Sequence, residues 1–229
     1  MRIWRLVLVV ACLLGAAVSC SSDGPTRVLL VGDSVMRQLG PALADQLPDD
    51  VRVRNEAVSG SGLLSPWFVD WPRNLDRVLD RYDADVVVFL FVGNYDLGGP
   101  REFETASGER IPDRTSPLFF RAWRAKAEQM TERAAEEADV TWILPPPMSG
   151  PDGQAVVDGL RADYRQVAED TGAGLIDAYD VLARPDGAFL GEAPGPDGAP
   201  VPLRSPDGVH LARAGAARLA TLVEDHLDL

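Results

Sequence analysis

After an opening aspartate, Asp85-Val86-Val87-Val88-Phe89-Leu90-Phe91-Val92 is an unbroken run of β-branched, aromatic and aliphatic residues. Successive side chains of a strand point to opposite faces, so a strand made of this run has no face to offer water. It must be central in its sheet and covered on both sides, as in parallel sheets whose crossover helices pack on both faces.

The rest of the chain alternates in the manner such a sheet requires. Arg27 to Val31 is a short apolar run ending at Gly32, and Val35, Leu39, Leu43 and Leu47 follow at helical spacing. Val51 to Arg54 reads as a second strand closing in the turn Ser59-Gly60-Ser61-Gly62, and Pro72 to Tyr82 as a helix with Leu75, Val78 and Leu79 on its apolar face. Beyond the central run come an irregular stretch from Gly98 to Pro117, a helix over Leu118 to Ala138, a strand Val140 to Leu144 stopped by three prolines, and a helix over Ala155 to Thr171. A short strand Gly174 to Asp177, a Pro/Gly-rich loop from Pro185 to Pro206 and a closing amphipathic helix from Leu211 to Leu227 complete it. Five strands alternating with helices predict a three-layer α/β/α sandwich on a mainly parallel sheet, flavodoxin-like, with functional groups on loops at the strands' carboxyl ends.

The first residues stand apart from this pattern. Arg2 and Arg5 precede an almost wholly apolar stretch from Leu6 to Val18, which ends in small residues before Cys20. The stretch is shorter than the about 20 residues of a spanning helix, and its flanks fit a secretory signal peptide. Residues 1–19 are therefore expected to leave as a signal peptide, with 20–26 as a tether and 27–229 as one domain. Cys12 would leave with the signal, so the mature chain has no pair for an intramolecular disulfide.

Without Arg2 and Arg5, the chain carries 20 basic against 35 acidic residues, a net charge of −15. Such a surface repels phosphate backbones and anionic headgroups, which disfavours nucleic-acid partners and leaves membrane contact to an N-terminal anchor. It also points to a substrate that is neutral or locally presented. With two histidines and no Cys/His cluster, no metal site is expected.

The chemistry-bearing residues fall into four blocks. Gly32-Asp33-Ser34 follows the first strand, where an Asp or Ser is by itself more often just the cap of the next helix. Asn55 to Gly60 follows the second strand, and a turn glycine there can also be explained by a need for positive φ. Gly93-Asn94-Tyr95-Asp96 ends the most buried strand, where an amide N–H could face an oxyanion or merely bond its own turn. Asp207-Gly208-Val209-His210 sets a carboxylate three residues before one of the two histidines, the other being His226 at the fraying end of the last helix. A serine hydroxyl needs a base titrating near neutrality, and His210 beside Asp207 supplies one.

In order and spacing these blocks resemble the SGNH hydrolases, also called GDSL esterases/lipases, over nearly the whole mature chain. The last block, followed by Ala214-Gly215-Ala216, carries the closest likeness. The resemblance implies Ser34 as nucleophile, His210 as general base and Asp207 as its orienting acid. It further implies an oxyanion hole from the Ser34 and Gly60 N–H groups with the Asn94 amide, and no metal or organic cofactor. The third block departs from the usual Gly-x-Asn-Asp: Asn94 follows Gly93 directly, Val92 stands in the usual glycine position, and the other register puts Tyr95 in the amide's place. Asp33 is expected to shape the turn. No Gly-x-Ser-x-Gly elbow is present, against a standard α/β-hydrolase. Cys20 resembles the lipidated residue of a bacterial lipoprotein of actinobacterial type, which implies export and anchoring at the outer face of the cell membrane.

Three functions share these features: an esterase acting on a small-molecule or glycan ester, including a carbohydrate or lipid ester of the envelope; an acyltransferase that passes the acyl group to a sugar hydroxyl; and a non-catalytic envelope-binding protein. Candidate substrate walls are the cluster Ser65-Pro66-Trp67-Phe68 with Trp71, the Gly98 to Pro117 stretch and the loop before Asp207, although core packing is the commoner explanation of Trp67 and Trp71.

Overall fold

The computed structural model describes residues 24–95 and 108–227. The expected signal segment, Cys20 and residues 98–107 of the irregular stretch lie outside the described residues.

Five parallel strands, β1 (Thr26–Gly32), β2 (Val51–Asn55), β3 (Val86–Leu90), β4 (Asp139–Leu144) and β5 (Gly174–Asp177), form one sheet in the order β2-β1-β3-β4-β5. The helices α1 (Ser34–Gln46), α2 (Trp71–Tyr82), α3 (Pro117–Ala135), α4 (Pro151–Thr171), α5 (Tyr179–Leu182) and α6 (Arg213–Leu227) account for the connections and the chain's end. Alternation along the central strands separates two cores. Leu29, Val31, Val87 and Phe89 face a cluster built with Trp71, Leu75, Trp123 and Tyr164 from α2, α3 and α4. Val28, Leu30, Val88 and Leu90 face the other, built with Val35, Leu39, Leu219 and Val223 from α1 and α6. The three-layer sandwich predicted from the apolar run is the observed fold.

Two of the indoles in the larger core have their N–H groups paired, as burial demands, whereas Trp71 Nε1 has no partner among the described residues. Trp123 Nε1 donates to the Tyr164 hydroxyl (2.8 Å), which donates to the Phe91 carbonyl (3.2 Å), and Trp142 Nε1 donates to Thr131 Oγ1 (2.8 Å).

Several boundaries differ from the sequence reading for visible reasons. β3 stops at Leu90, because the Val92 N–H is taken by the Asp33 carboxylate and not by a neighbouring strand. α4 begins at Pro151, a residue suited to the first helical turn because its missing N–H would have no partner there. The Pro/Gly-rich loop contains an antiparallel pair, β6 (Glu192–Pro194) and β7 (Pro200–Pro202), whose three prolines fit a two-stranded element with open edges. Of the aromatic walls, Trp71 is buried and Trp67 packs against the same core, whereas Phe68 is 49% exposed.

The sheet order sets the site. From β1 the chain moves first to β2 on one side and later to β3 on the other, so a crevice opens between the carboxyl ends of β1 and β3. Gly32 lies opposite Leu90 at that point, and a Cβ on it would fall 2.2 Å from the Leu90 carbonyl oxygen. Only glycine lets the two strand ends close this tightly.

Candidate active site

Ser34 is the first residue of α1, directly beyond β1, so its hydroxyl sits at the strand's carboxyl end on the rim of the crevice. Asp33 before it has extended backbone angles and caps the helix, its Oδ1 accepting the Val35 N–H at 3.0 Å.

The partner of Ser34 comes from 176 residues away, with His210 Nε2 lying 2.8 Å from Ser34 Oγ. The other ring nitrogen, Nδ1, is 2.7 Å from Asp207 Oδ2. Asp207 Oδ1 accepts the N–H groups of Val209 (2.8 Å) and His210 (2.9 Å), so the carboxylate closes its own loop. The hydrogen bond to His210, then these backbone donors, hold the Asp207 carboxyl down at about 2, so it is ionised at neutral pH. An ionised Oδ2 can only accept, which puts the proton on Nδ1 and leaves the Nε2 lone pair facing the serine O–H.

The loop carrying this pair is tied down on three sides. Gly208 has φ +69°, and a Cβ there would fall 1.7 Å from Ser149 Oγ. Gln38, one turn after Ser34 on α1, accepts the Leu211 N–H at 2.8 Å. Arg204, only 4% exposed, donates from Nη1 to the Pro147 carbonyl (2.7 Å) and from Nη2 to the carbonyls of Gly208 and Val209. Burial pulls its guanidinium down to about 10, and its Nε–H has no partner among the described residues. Neither Gln38 nor Arg204 stood out in the sequence; the i+4 spacing from Ser34 was the available sign for the first, and proximity to Asp207 for the second.

Gly60 and Asn94 both border the same cavity as Ser34, a space of about 790 Å³. Gly60 has φ +77°, and nothing among the described residues accepts the N–H of Ser34 or of Gly60. Asn94 lies at the cavity whereas Tyr95 turns into the core, packed on Phe119 with its hydroxyl donating to the Ile111 carbonyl (2.9 Å). The Asn94 amide is already engaged: Nδ2 donates to Asp33 Oδ2 at 3.2 Å and to the Ser61 carbonyl at 3.1 Å. Those two bonds use both of its hydrogens, so service to an oxyanion requires sharing or releasing one.

Asp33 is the hub beneath these groups. It is fully buried, and Oδ2 receives the Val92 N–H at 2.7 Å as well as the Asn94 amide. Burial pushes its carboxyl up to about 7 despite the N–H donors. The sequence marked Asp33 as a turn residue but not as the link between the nucleophile turn and the third block. His226 is exposed at the end of α6, away from this constellation. Among the described residues no group of three or more His, Cys, Asp or Glu is placed to hold a metal ion.

The model of a family described as "Protein of unknown function (DUF459)" matches residues 27–226. No curated protein matches the chain. Among solved structures, it is similar to a GDSL-like lipase from Bacteroides thetaiotaomicron, with TM-score 0.60 and 16% identity over 89% of this chain and 88% of that one. It is also similar to a catalytic mutant of an acetylxylan esterase from Geobacillus stearothermophilus (TM-score 0.58, 14% identity, 89% and 95% covered). A lipase/acylhydrolase from Enterococcus faecalis gives TM-score 0.56 and 18% identity over 88% and 95%. At such identities the likeness is one of fold, and the fold is that of the SGNH/GDSL hydrolases.

Proposed function

We propose that this chain, which belongs to the DUF459 family, is a serine ester hydrolase of the SGNH type that works through an acyl-enzyme. The observation that carries the reading is the continuous path from Asp207 through His210 to Ser34, with contacts of 2.7 and 2.8 Å. A half-buried serine at the rim of a cavity gains nothing structural from such a path, whereas a nucleophile needs it.

In this mechanism Ser34 Oγ attacks the ester carbonyl carbon while His210 Nε2 takes its proton. Negative charge gathers on the former carbonyl oxygen, where the N–H groups of Ser34 and Gly60 are the available donors and Asn94 the third. As the tetrahedral adduct collapses, His210 returns the proton to the departing alkoxide, and the alcohol leaves. Water then attacks the acyl-serine with His210 again as base, releasing the carboxylic acid and restoring Ser34. Asp207 keeps the imidazole in the reactive tautomer and stabilises the imidazolium that forms at each step.

The leader-like first residues and Cys20 support an exported enzyme anchored outside the membrane by lipid on that cysteine. The test of the reaction is covalent labelling: a fluorophosphonate should modify the wild-type protein at Ser34 and leave Ser34→Ala unmodified. Absence of labelling in a folded wild-type protein would mean the constellation binds without turning over.

A further inference from the structure

We propose that the site takes short-acyl esters of a polyhydroxylated alcohol, a sugar ester and not a lipid, with Arg37 as a specificity-determining residue on the alcohol side. The inference rests on the esterase reading above and concerns which ester it cuts.

The cavity around Ser34 measures about 790 Å³. Its walls are Ser59, Ser205, Gln38, Asn94 and Arg37, together with Gly60 and the Ser34–His210–Asp207 path. No apolar side chain lines it among the described residues. Ligand pockets of this size are ordinarily lined mostly by apolar groups. An acyl chain is held by burying its methylenes, each worth about fourfold in binding where an apolar wall exists. Among the described residues the walls offer none of that, so acyl carbons beyond the first two find no apolar partner there.

The volume must therefore serve the other half of the ester. A space far larger than an acetyl group and lined by hydrogen-bonding groups suits an alcohol with many hydroxyls. Several of those groups are free to bind. Gln38 spends its oxygen on the Leu211 N–H, leaving its amide nitrogen without a partner among the described residues. The hydroxyl of Ser59 is likewise unengaged among the described residues. Arg37 stands three residues after Ser34 on α1, which places it on the same side of the helix. Its guanidinium forms no ion pair among the described residues, although the sequence holds 35 acidic residues. An arginine left unpaired in so acidic a chain, beside the nucleophile, presents donors in a fixed fork to the ring and hydroxyl oxygens of a sugar.

The experiment combines an acyl series with an alcohol series. On nitrophenyl esters from acetate to octanoate, kcat/KM should stay level or fall with length; an apolar groove would instead raise it about fifteenfold from acetate to butyrate, at about fourfold per methylene. The O-acetylated glucose oligosaccharide should be deacetylated with a lower KM than nitrophenyl acetate, and phosphatidylcholine vesicles should not be cut. Arg37→Gln should raise KM on the oligosaccharide about tenfold or more, the effect of one lost charge-assisted hydrogen bond, with kcat retained and a smaller change on nitrophenyl acetate. A rising chain-length profile, or cleavage of the vesicles, overturns the substrate class. An unchanged KM for Arg37→Gln overturns the role of Arg37. Fluorophosphonate labelling of Ser34 in the same preparation separates these outcomes from failure of the esterase reading, since labelling survives a wrong substrate class but not a wrong mechanism.

Discussion

Replacing Asp33 with alanine removes two oxygens that receive N–H groups from three directions. Oδ1 caps α1 at the Val35 N–H, and losing such a cap costs about 1 kcal/mol. Oδ2 accepts the buried Val92 N–H and the partly buried Asn94 amide, and a buried donor left unsatisfied costs about 1–3 kcal/mol. Because Asp33 is fully buried, water does not replace it, and the three losses come to about 4 kcal/mol. That is a large part of the stability of a single domain.

This penalty depends on pH, with a definite sign. The folded carboxyl titrates at about 7, above its ordinary 3.8, so between those values the native chain holds a proton that the unfolded chain has released. The stability Asp33 contributes is thus complete below about pH 4 and falls as pH rises through 7, by up to about 4 kcal/mol over the interval. Urea unfolding followed by tryptophan fluorescence should show Asp33→Ala losing about 4 kcal/mol at pH 4.5 and much less at pH 8. Asp33→Ser, which keeps a capping oxygen for Val35 but cannot reach Val92, should recover about 1 kcal/mol of the loss. A penalty under about 1 kcal/mol at pH 4.5, or one that grows with pH, would refute the account of Asp33 as a buried link between the nucleophile turn and the end of β3.

Ser34→Ala and His210→Ala should each lower turnover by several orders of magnitude, and the double variant should lose little more, because nucleophile and base act as one unit; additive losses in steady-state kinetics would contradict the pairing. Asn94→Ala should reduce kcat by about 10²–10³-fold with little change in KM, as for deletion of one oxyanion donor. Wild-type turnover of that variant would mean that its amide stays with Asp33 and Ser61 throughout. Arg204→Met should cost kcat about tenfold or more while sparing KM, since slippage of the base by an ångström is enough to lose that much. Arg204→Lys, with a point charge in place of the fork, should restore only part of it, and full activity in Arg204→Met would remove the guanidinium from any positioning role. Cys20→Ser should shift the protein from the membrane fraction to the soluble one, because two lipid chains anchor stably where none can; unchanged retention would point to a different anchor.

The fold was legible because its strongest signal is local. The run from Val86 to Val92 is apolar on both faces whatever the tertiary context, and helical spacing of Val35, Leu39 and Leu43 survives in α1 even with Pro41 inside it. The pairing of Ser34 with His210 was legible for a chemical reason: histidine is scarce here and only one stands near a loop carboxylate. What could not be read was anything that depends on which atoms meet after packing. Asp33 is an ordinary cap by sequence, and its second contact exists only because β3 pairs with β1 in the register that sets Gly32 against Leu90. Arg204 looks like a solvated surface charge until β7 and the Ser205–Leu211 turn close over it. The prolines around 194–202 argue against a strand in a central sheet, yet they permit a small hairpin that needs few ladder bonds.

These contacts divide the site into two parts held by different means. The serine, Gly60 and Asn94 lie beyond the ends of β1, β2 and β3; one buried carboxylate joins the serine turn to Asn94, and Asn94 joins the Gly60 loop through the Ser61 carbonyl. The histidine and its acid belong to a surface turn that no strand of the main sheet restrains, so their position against Ser34 depends on Gln38 from α1 and on the guanidinium of Arg204. A buried arginine facing carbonyl groups and no carboxylate is a costly arrangement. It makes physical sense where a 2.8 Å contact must be kept between residues 176 apart in the chain, because three carbonyls gripped by one planar fork leave the turn little freedom to move. The same division explains why damage at Asp33 should register in both stability and turnover, whereas damage at Arg204 should register mainly in turnover.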